Sequence, residues 1–115
     1  MRRMSFIACC GLALAGPAAA HHGWGSYDAA NPLTIDGPIV ESRYENPHAS
    51  IRVQAPGRVW TVTLAPTSRM TLRGASPEII AVGKRVSAYG YASTVQQDEM
   101  RAERITVDGK TYELR

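Results

Sequence analysis

Short alternations of apolar and polar residues recur along the chain, which is typical of β-strands that bury one face. Ala49, Ile51 and Val53 alternate with polar neighbours, and a Pro56-Gly57 turn separates them from a second alternating run. The same signal predicts further strands at residues 33–44, 85–91, 101–107 and 110–114. Gly37 and Pro38 interrupt the first of these strands and predict a bulge or a sharp bend there.

The period of the pattern changes in the middle of the chain. Residues 68–72 predict one helical turn that ends at Gly74, and Ser76-Pro77 is a helix start with serine as the cap. A short helix after the third strand is the order found in OB-type barrels. The predicted fold is therefore all-β with one short helix: a small five- to six-stranded OB-like β-barrel. An open β-sandwich is the alternative.

The first twenty residues are typical of a secretory signal peptide. Arg2 and Arg3 give a positive start, residues 5–16 are apolar, and Pro17 precedes a run of small residues that ends at Ala20. The apolar stretch is shorter than the ~20 residues that span a bilayer as a helix. We therefore expect cleavage after Ala20 and a periplasmic or secreted protein without a transmembrane segment in the mature chain. The predicted divisions are a signal peptide (1–20), an N-terminal arm (21–32) and the OB-like barrel domain (33–115).

This division changes how the composition is interpreted. The 115 residues include 13 basic and 10 acidic side chains, and removal of Arg2 and Arg3 leaves 11 basic residues against 10 acidic ones. Both cysteines, Cys9 and Cys10, also lie in the predicted signal peptide. The mature chain therefore has no general basic field for nucleic acid, which we exclude as a partner, and it must fold without disulfides.

The histidines of the chain are His21 and His22, at the predicted new N-terminus, and His48. Cleavage after Ala20 gives His21 a free α-amine beside its imidazole, so one residue offers two nitrogen donors. An α-amine (ordinary pKa ~7.8) gives up its proton more readily than a lysine (~10.4), and metal ligands must be deprotonated. Nitrogen donors of this kind favour copper(II), with zinc as the next candidate.

The sequence therefore predicts a metal site at His21, His22 and His48. His48 requires the arm to fold back across the start of its strand, and Trp24 and Tyr27 are the residues that could pin the arm to the barrel. The alternative interpretation is that the adjacent histidines belong to a polar arm without a ligand, that His48 faces water, and that the two aromatic residues serve packing alone.

A second group of residues combines tyrosine with arginine. Its members are Tyr44, Arg52, Tyr89, Tyr91, Arg101 and Arg104. Within it, Tyr89, Tyr91 and Arg101 form a candidate ligand face for an envelope protein, a peptide or an oligosaccharide. This metal-free binding module is the alternative to copper binding, and tyrosines that merely cover one side of the barrel are a further interpretation.

Catalytic motifs are missing from the mature sequence. It has no cysteine, no Gly-x-Ser-x-Gly, no His-Glu-x-x-His and no glycine-rich phosphate loop. We therefore expect a binding protein and not an enzyme.

Taken together, these motifs resemble an uncharacterised family of exported bacterial proteins, the domain of unknown function 6152 family. The resemblance rests on the His21-His22 start, Asn46-Pro47-His48, Trp60, the strand up to Gly90-Tyr91, Arg101-Ala102 and the Asp108-Gly109 hairpin. It implies a periplasmic OB-like barrel and no established activity. Pro38 departs from the expected pattern and predicts a distortion of the first strand.

Overall fold

The computed structural model describes residues 23–115, and the predicted signal peptide, His21 and His22 lie outside this range. A 3₁₀ helix at Trp24–Ser26 leads directly into the first strand. Six strands and one α-helix follow, with a second 3₁₀ helix at Pro77–Ile80. Their bounds are β1 Tyr27–Arg43, β2 Ser50–Ala55, β3 Arg58–Thr63, α1 Thr67–Leu72, β4 Arg85–Ser93, β5 Glu99–Val107 and β6 Lys110–Glu113.

The strands form one sheet that curls into a barrel-like ring. Their order is β3-β2-β1-β4-β5-β6, and a parallel pairing of β3 with β5 closes a ring of five strands. The other pairings are antiparallel, and β6 extends the sheet beyond β5 through a tight turn at Asp108-Gly109 with positive φ at both residues. The prediction of a mostly-β domain with five to six strands and one short helix is confirmed.

Strand β1 is long because it serves two partners in turn. Its first part pairs with β4 up to Pro38, and its last part pairs with β2 from Ile39 onward. The register shifts between Ile39 and Glu41, so the irregularity lies just after the predicted position and the strand itself continues through Gly37 and Pro38. The strand begins at Tyr27, within the residues that the sequence assigns to the arm.

One apolar core fills the ring. On β2, Ile51, Val53 and Ala55 are buried while Ser50, Arg52 and Gln54 point outward, as the alternation predicts. Met70 from α1 and Ile80 from the second 3₁₀ helix join this core. Its largest fully buried side chains are Ile39, Ile51, Leu64, Met70, Ile80, Met100, Ile105 and Leu114. No helix within residues 23–115 has the length and apolar character needed to cross a membrane.

Candidate functional site

The N-terminal segment is pinned to the outside of the ring by the indole of Trp24. The guanidinium carbon of Arg101 lies 4.3 Å from the centre of this ring system, and that of Arg115 lies 4.6 Å from it. A cation over an aromatic face is attracted by the ring quadrupole. Trp24 is therefore held by two cations, one from strand β5 and one from the residue after Leu114.

Arg101 is covered by this contact. It follows the core residue Met100 on β5, so its side chain projects from the outer face of the ring. Only 6% of Arg101 is nevertheless exposed. Burial lowers the pKa of its guanidinium, and the nearby charges of Arg69 and Arg115 lower it further, against the opposing influence of Tyr27 and Glu99. Arg101 is thus a fixed cation beneath Trp24.

Trp24 and three tyrosines form a continuous cluster of aromatic rings. The ring of Trp24 meets Tyr27 at 6.2 Å and Tyr91 at 5.9 Å between centroids, and Tyr91 meets Tyr89 at 6.2 Å, each edge to face. This is the arrangement that aromatic pairs prefer. The guanidinium of Arg104 lies 4.6 Å above Tyr89 and closes the cluster on that side. We call Trp24, Tyr27, Tyr89 and Tyr91 the aromatic cluster.

Two tyrosines of this cluster donate hydrogen bonds to carboxylates. Tyr27 Oη donates to Glu99 Oε1 at 2.7 Å, and Thr63 Oγ1 donates to the same oxygen at 2.8 Å. Burial, reinforced by this bond to Glu99, raises the pKa of Tyr27 to about 12. Tyr91 Oη donates to Glu103 Oε2 at 2.9 Å, and this bond raises the pKa of Tyr91.

These contacts define the direction in which the N-terminal segment runs. Tyr27 contacts Glu99 and Trp24 contacts Arg101, and these two β5 residues pair with Thr61 and Thr63 of β3. The chain therefore runs backward from Tyr27 to Trp24 toward the end of β3. Beyond that end, Ala65 accepts a hydrogen bond from the backbone of Ala49 at 2.8 Å.

His48 lies at this same end of the ring. It immediately precedes Ala49, is half-buried, and follows the cis Asn46-Pro47 bond. Asn46 Oδ1 accepts hydrogen bonds from the backbone and the hydroxyl of Thr67 at 3.2 and 2.9 Å, which attaches the segment before His48 to the start of α1. The start of β2, the helix α1 and the path of the N-terminal segment therefore converge.

Comparison with known families identifies the chain. The group described as "Family of unknown function (DUF6152)" matches residues 10–102. The chain belongs to this family. Among curated proteins, none matches the sequence.

Solved structures share the fold of this DUF6152 member at low sequence identity. The crystal structure of TiaS in complex with a transfer RNA and ATP matches with a TM-score of 0.52 and 13% identity over 70% of this chain. The ZRD-deleted mutant of TiaS in complex with agmatine matches with a TM-score of 0.55 and 16% identity over 76%. The matches span 18% and 27% of those chains, so they concern one part of a larger protein and support the fold alone.

The predicted metal ligands of this DUF6152 member divide between described and undescribed residues. His21 and His22 lie outside residues 23–115, so their prediction stays a prediction. His48 is described, and no group of three or more His, Cys, Asp or Glu side chains within residues 23–115 is arranged to hold a metal ion.

The predicted ligand face is brought together in part. Tyr89 and Tyr91 contact each other and are both half-buried. Arg101 lies under Trp24, and the arginine that stacks on Tyr89 is Arg104. Trp24 and Tyr27, the residues that the sequence analysis considered as possible attachments of the arm, contact β4 and β5. Arg115 was not predicted as a partner of Trp24, since no local pattern links the two positions.

A shallow groove lies elsewhere, on the outer face of β1, β2 and β3. It has a volume of about 420 Å³ and is lined by Glu41, Arg43, Ser50, Ile51, Arg52 and Thr61. Glu41 forms ion pairs with Arg43 at 3.3 Å and Arg52 at 3.8 Å. Both arginines of this groove are thus paired with one carboxylate.

Proposed function

We propose that this member of DUF6152 is an exported, non-enzymatic binding protein that holds one copper ion. Removal of residues 1–20 exposes His21, whose α-amine and imidazole bind the metal, and the ring of His48 or His22 supplies the third nitrogen. A copper(II) ion suits such a set because it heads the affinity series for divalent metals and accepts tetragonal nitrogen ligation. Zinc is the second metal of this proposal.

The observation that carries the proposal is the path of the segment from Tyr27 back to Trp24. This path follows β5 and leads to the end of the ring where His48 precedes strand β2. Arg101 pairs with Thr63 of β3, and Thr63 pairs with Ser50, which follows His48 by two residues, so His48 and Arg101 lie about two strands apart at this end of the ring. Three extended residues span about 10 Å, so the chain from Trp24 to His21 has the length to approach His48.

The experiment compares two mature chains, one that begins at His21 and one with a single extra alanine before it. Each is titrated with copper(II) and examined by electron paramagnetic resonance. The extra residue removes the amine from the chelate and leaves every side chain in place, so we expect weaker binding and a changed spectrum. Equal affinity and identical spectra in the two chains would refute ligation by the terminal amine.

His48 is tested separately with His48→Ala and His22→Ala in the chain that begins at His21. The loss of hyperfine coupling from one imidazole in either variant identifies the third donor. Unchanged spectra in both variants would show that neither ring binds the metal. Tyr112→Phe, a change inside the core and remote from the arm, is the control for indirect effects on the fold.

The aromatic cluster favours a second candidate function, a metal-free module that binds an envelope protein, a peptide or an oligosaccharide. Tyr89 and Tyr91 lie edge to face on the outer side of β4, and Arg104 stacks on Tyr89. Aromatic rings with polar tips are common at binding surfaces. This candidate predicts that Tyr91→Ala weakens capture of a partner from a periplasmic extract and that His21→Ala and His48→Ala leave the capture unchanged.

A further inference from the structure

A cavity lies between the N-terminal turn and the loop that joins β4 to β5. Its volume is about 340 Å³, at the lower end of the range for small-molecule pockets. The residues that line it are Ser26, Tyr27, Ser93, Val95, Gln96 and Glu99. The start of β1, the loop after β4 and the start of β5 therefore contribute to one concave surface.

The two walls of this cavity are attached to each other. Thr94 donates from its backbone and from its hydroxyl to the carbonyl oxygen of Ser26, at 2.8 and 3.0 Å. Within the loop, the backbone amides of Val95 and Gln96 donate to Ser93 Oγ at 3.2 and 2.9 Å. The folded chain thus forms the cavity in advance, and a ligand does not have to order the loop in order to bind.

The hydrogen bonds already present decide what Ser93 and Tyr27 offer to a ligand. A serine hydroxyl has two acceptor positions and one hydrogen, and the two amides of the loop take both acceptor positions of Ser93. Ser93 therefore offers its hydrogen. Tyr27 donates its own hydrogen to Glu99, and since burial raises the pKa of Tyr27 to about 12, the phenol keeps that hydrogen at neutral pH. Tyr27 Oη therefore offers an acceptor.

Glu99 supplies the negative charge of the cavity. Tyr27 and Thr63 both donate to its Oε1, so neither of them uses Oε2. Of the six residues that line the cavity, Glu99 is the one with a charged side chain. A ligand with a negative charge would be repelled by it, which leaves neutral molecules and cations as ligands.

The donors and acceptors of the cavity favour a neutral hydroxyl compound over an ammonium ion. An ammonium group has three donors and no acceptor, so it cannot use the hydrogen of Ser93. Arg101 lies two positions after Glu99, on the same face of β5, and its positive charge also disfavours a cation there. A hydroxyl group both donates and accepts, so it fits Glu99 and Ser93 together.

We propose that this cavity binds a small neutral polyhydroxylated molecule, a mono- or disaccharide. Its hydroxyls donate to Glu99 Oε2 and accept from Ser93 Oγ, and the amide of Gln96 supplies a further donor and acceptor. Val95, of which 66% is exposed, supplies an apolar contact for the carbon atoms of a sugar ring. The site includes neither His48 nor the pair of Tyr89 and Tyr91, so it stands whether or not copper binds.

The test is a titration of the isotope-labelled, metal-free protein with glucose and, separately, with N-acetylglucosamine, followed by the NMR shifts of the backbone amides. We expect saturable shifts at Ser93, Gln96 and Glu99 with at least one of the two sugars. The absence of saturable shifts with both sugars would overturn the proposal, and it would leave the copper titration unaffected.

Glucosamine and glucuronate test the charge preference, since they place a positive and a negative group on the same kind of ring. Glucuronate should bind at least about fivefold more weakly than glucose because Glu99 repels it. Glucosamine should bind no more tightly than glucose. Tighter binding of glucosamine would assign the cavity to ammonium compounds and overturn the proposal, as would equal binding of glucuronate.

Gln96→Ala and Gln97→Ala are a matched pair of variants. The two glutamines are adjacent and exposed, and Gln96 lines the cavity whereas Gln97 does not. Gln96→Ala should weaken sugar binding about fivefold through lost hydrogen bonds, and Gln97→Ala should weaken it less than about twofold. Equal effects of the two changes would overturn the proposal.

Glu99→Gln tests the charged acceptor itself. It conserves the shape of the side chain and should weaken sugar binding about tenfold, because it replaces a charge-assisted hydrogen bond by a neutral one. Unchanged affinity in Glu99→Gln would overturn the role of the carboxylate. The amide spectrum of each variant verifies that the fold is retained, and if Glu99→Gln does not fold, the glutamine pair decides the proposal alone.

Discussion

A single phenol links the N-terminal segment to the closure of the ring. Tyr27 donates to Glu99, which also accepts from Thr63, so one carboxylate joins β1, β3 and β5. Burial and the neighbouring carboxylate both favour the protonated phenol and raise its pKa to about 12. The phenol therefore keeps its proton at physiological pH and loses it in strongly alkaline solution, where the contact weakens.

This shift predicts how stability depends on alkaline pH. An unfolded chain releases the proton of Tyr27 near the ordinary value of 10.0, whereas the folded chain retains it until about 12. Between these values the folded state binds the extra proton, so the contribution of Tyr27 to the free energy of unfolding falls as pH rises. Urea unfolding of the protein and of Tyr27→Phe across this range should show a difference that shrinks with pH. A difference that is constant with pH would contradict the assignment.

A second prediction for a single residue concerns Gly90 and the free energy of unfolding. Gly90 lies at the register shift between β4 and β5, and a Cβ atom there would collide with the carbonyl oxygen of Arg101 and lie 2.8 Å from Ala102 Cα. Backbone cannot yield as a flexible side chain does, so Gly90→Ala should lower the free energy of unfolding by about 3 kcal/mol. Gly25→Ala, where no atom lies within 4 Å, is the matched control and should change it by less than about 0.5 kcal/mol. Urea denaturation measures both, and equal effects would contradict the role of close approach.

At the scale of the element, Trp24 supplies the side-chain contacts of the first turn. The 3₁₀ helix Trp24–Ser26 has no buried residue, and Trp24 supplies its contacts with two arginines and two tyrosines. The backbone of Thr94 donates to Ser26 at 2.8 Å, which ties this turn to the loop after β4.

Removal of this side chain should release the element without opening the ring. Trp24→Ala should lower the free energy of unfolding by about 2 kcal/mol through the lost cation–π and aromatic contacts. Hydrogen exchange at the Thr94 amide should accelerate, while exchange in β2 and β3 changes only with the global stability. Val95→Ala, at a position 66% exposed, is the control. Unchanged exchange at Thr94 would show that other contacts hold the segment.

The elements show how much of this fold the sequence could predict. Alternation identifies β2 and β3 because each buries one face, and Asp108-Gly109 marks its hairpin because a tight turn requires positive φ there. The contact between Tyr27 and Glu99 joins residues 72 positions apart and depends on the register of three strands, which no local pattern encodes. The position of Arg101 beneath Trp24 could not be predicted for the same reason, since only the folded chain brings these two residues together.

At the scale of the whole molecule, the strands form a ring, and the pairing that closes it is the shortest strand pairing in the sheet. Strands β3 and β5 pair over three positions, from Thr61 opposite Glu99 to Thr63 opposite Arg101. The backbone of Thr61 also donates to the carbonyl of Asp98 at 2.8 Å. At the centre of this contact Val62 lies opposite Met100, and both are fully buried in the core. Closure therefore depends on apolar packing as much as on backbone hydrogen bonds.

Shortening the side chain of Met100 should destabilise the entire ring. Met100→Ala leaves a cavity where β3 and β5 meet and should lower the free energy of unfolding by about 3 kcal/mol. Met100→Leu conserves volume and should cost less than about 1.5 kcal/mol, which separates the cavity from the change of residue type. Because the core is continuous, tryptophan fluorescence and circular dichroism should still report one transition with the same midpoint. If instead the two signals separate in Met100→Ala, then β4, β5 and β6 hold together without the closing contact, and the ring is not the unit that folds.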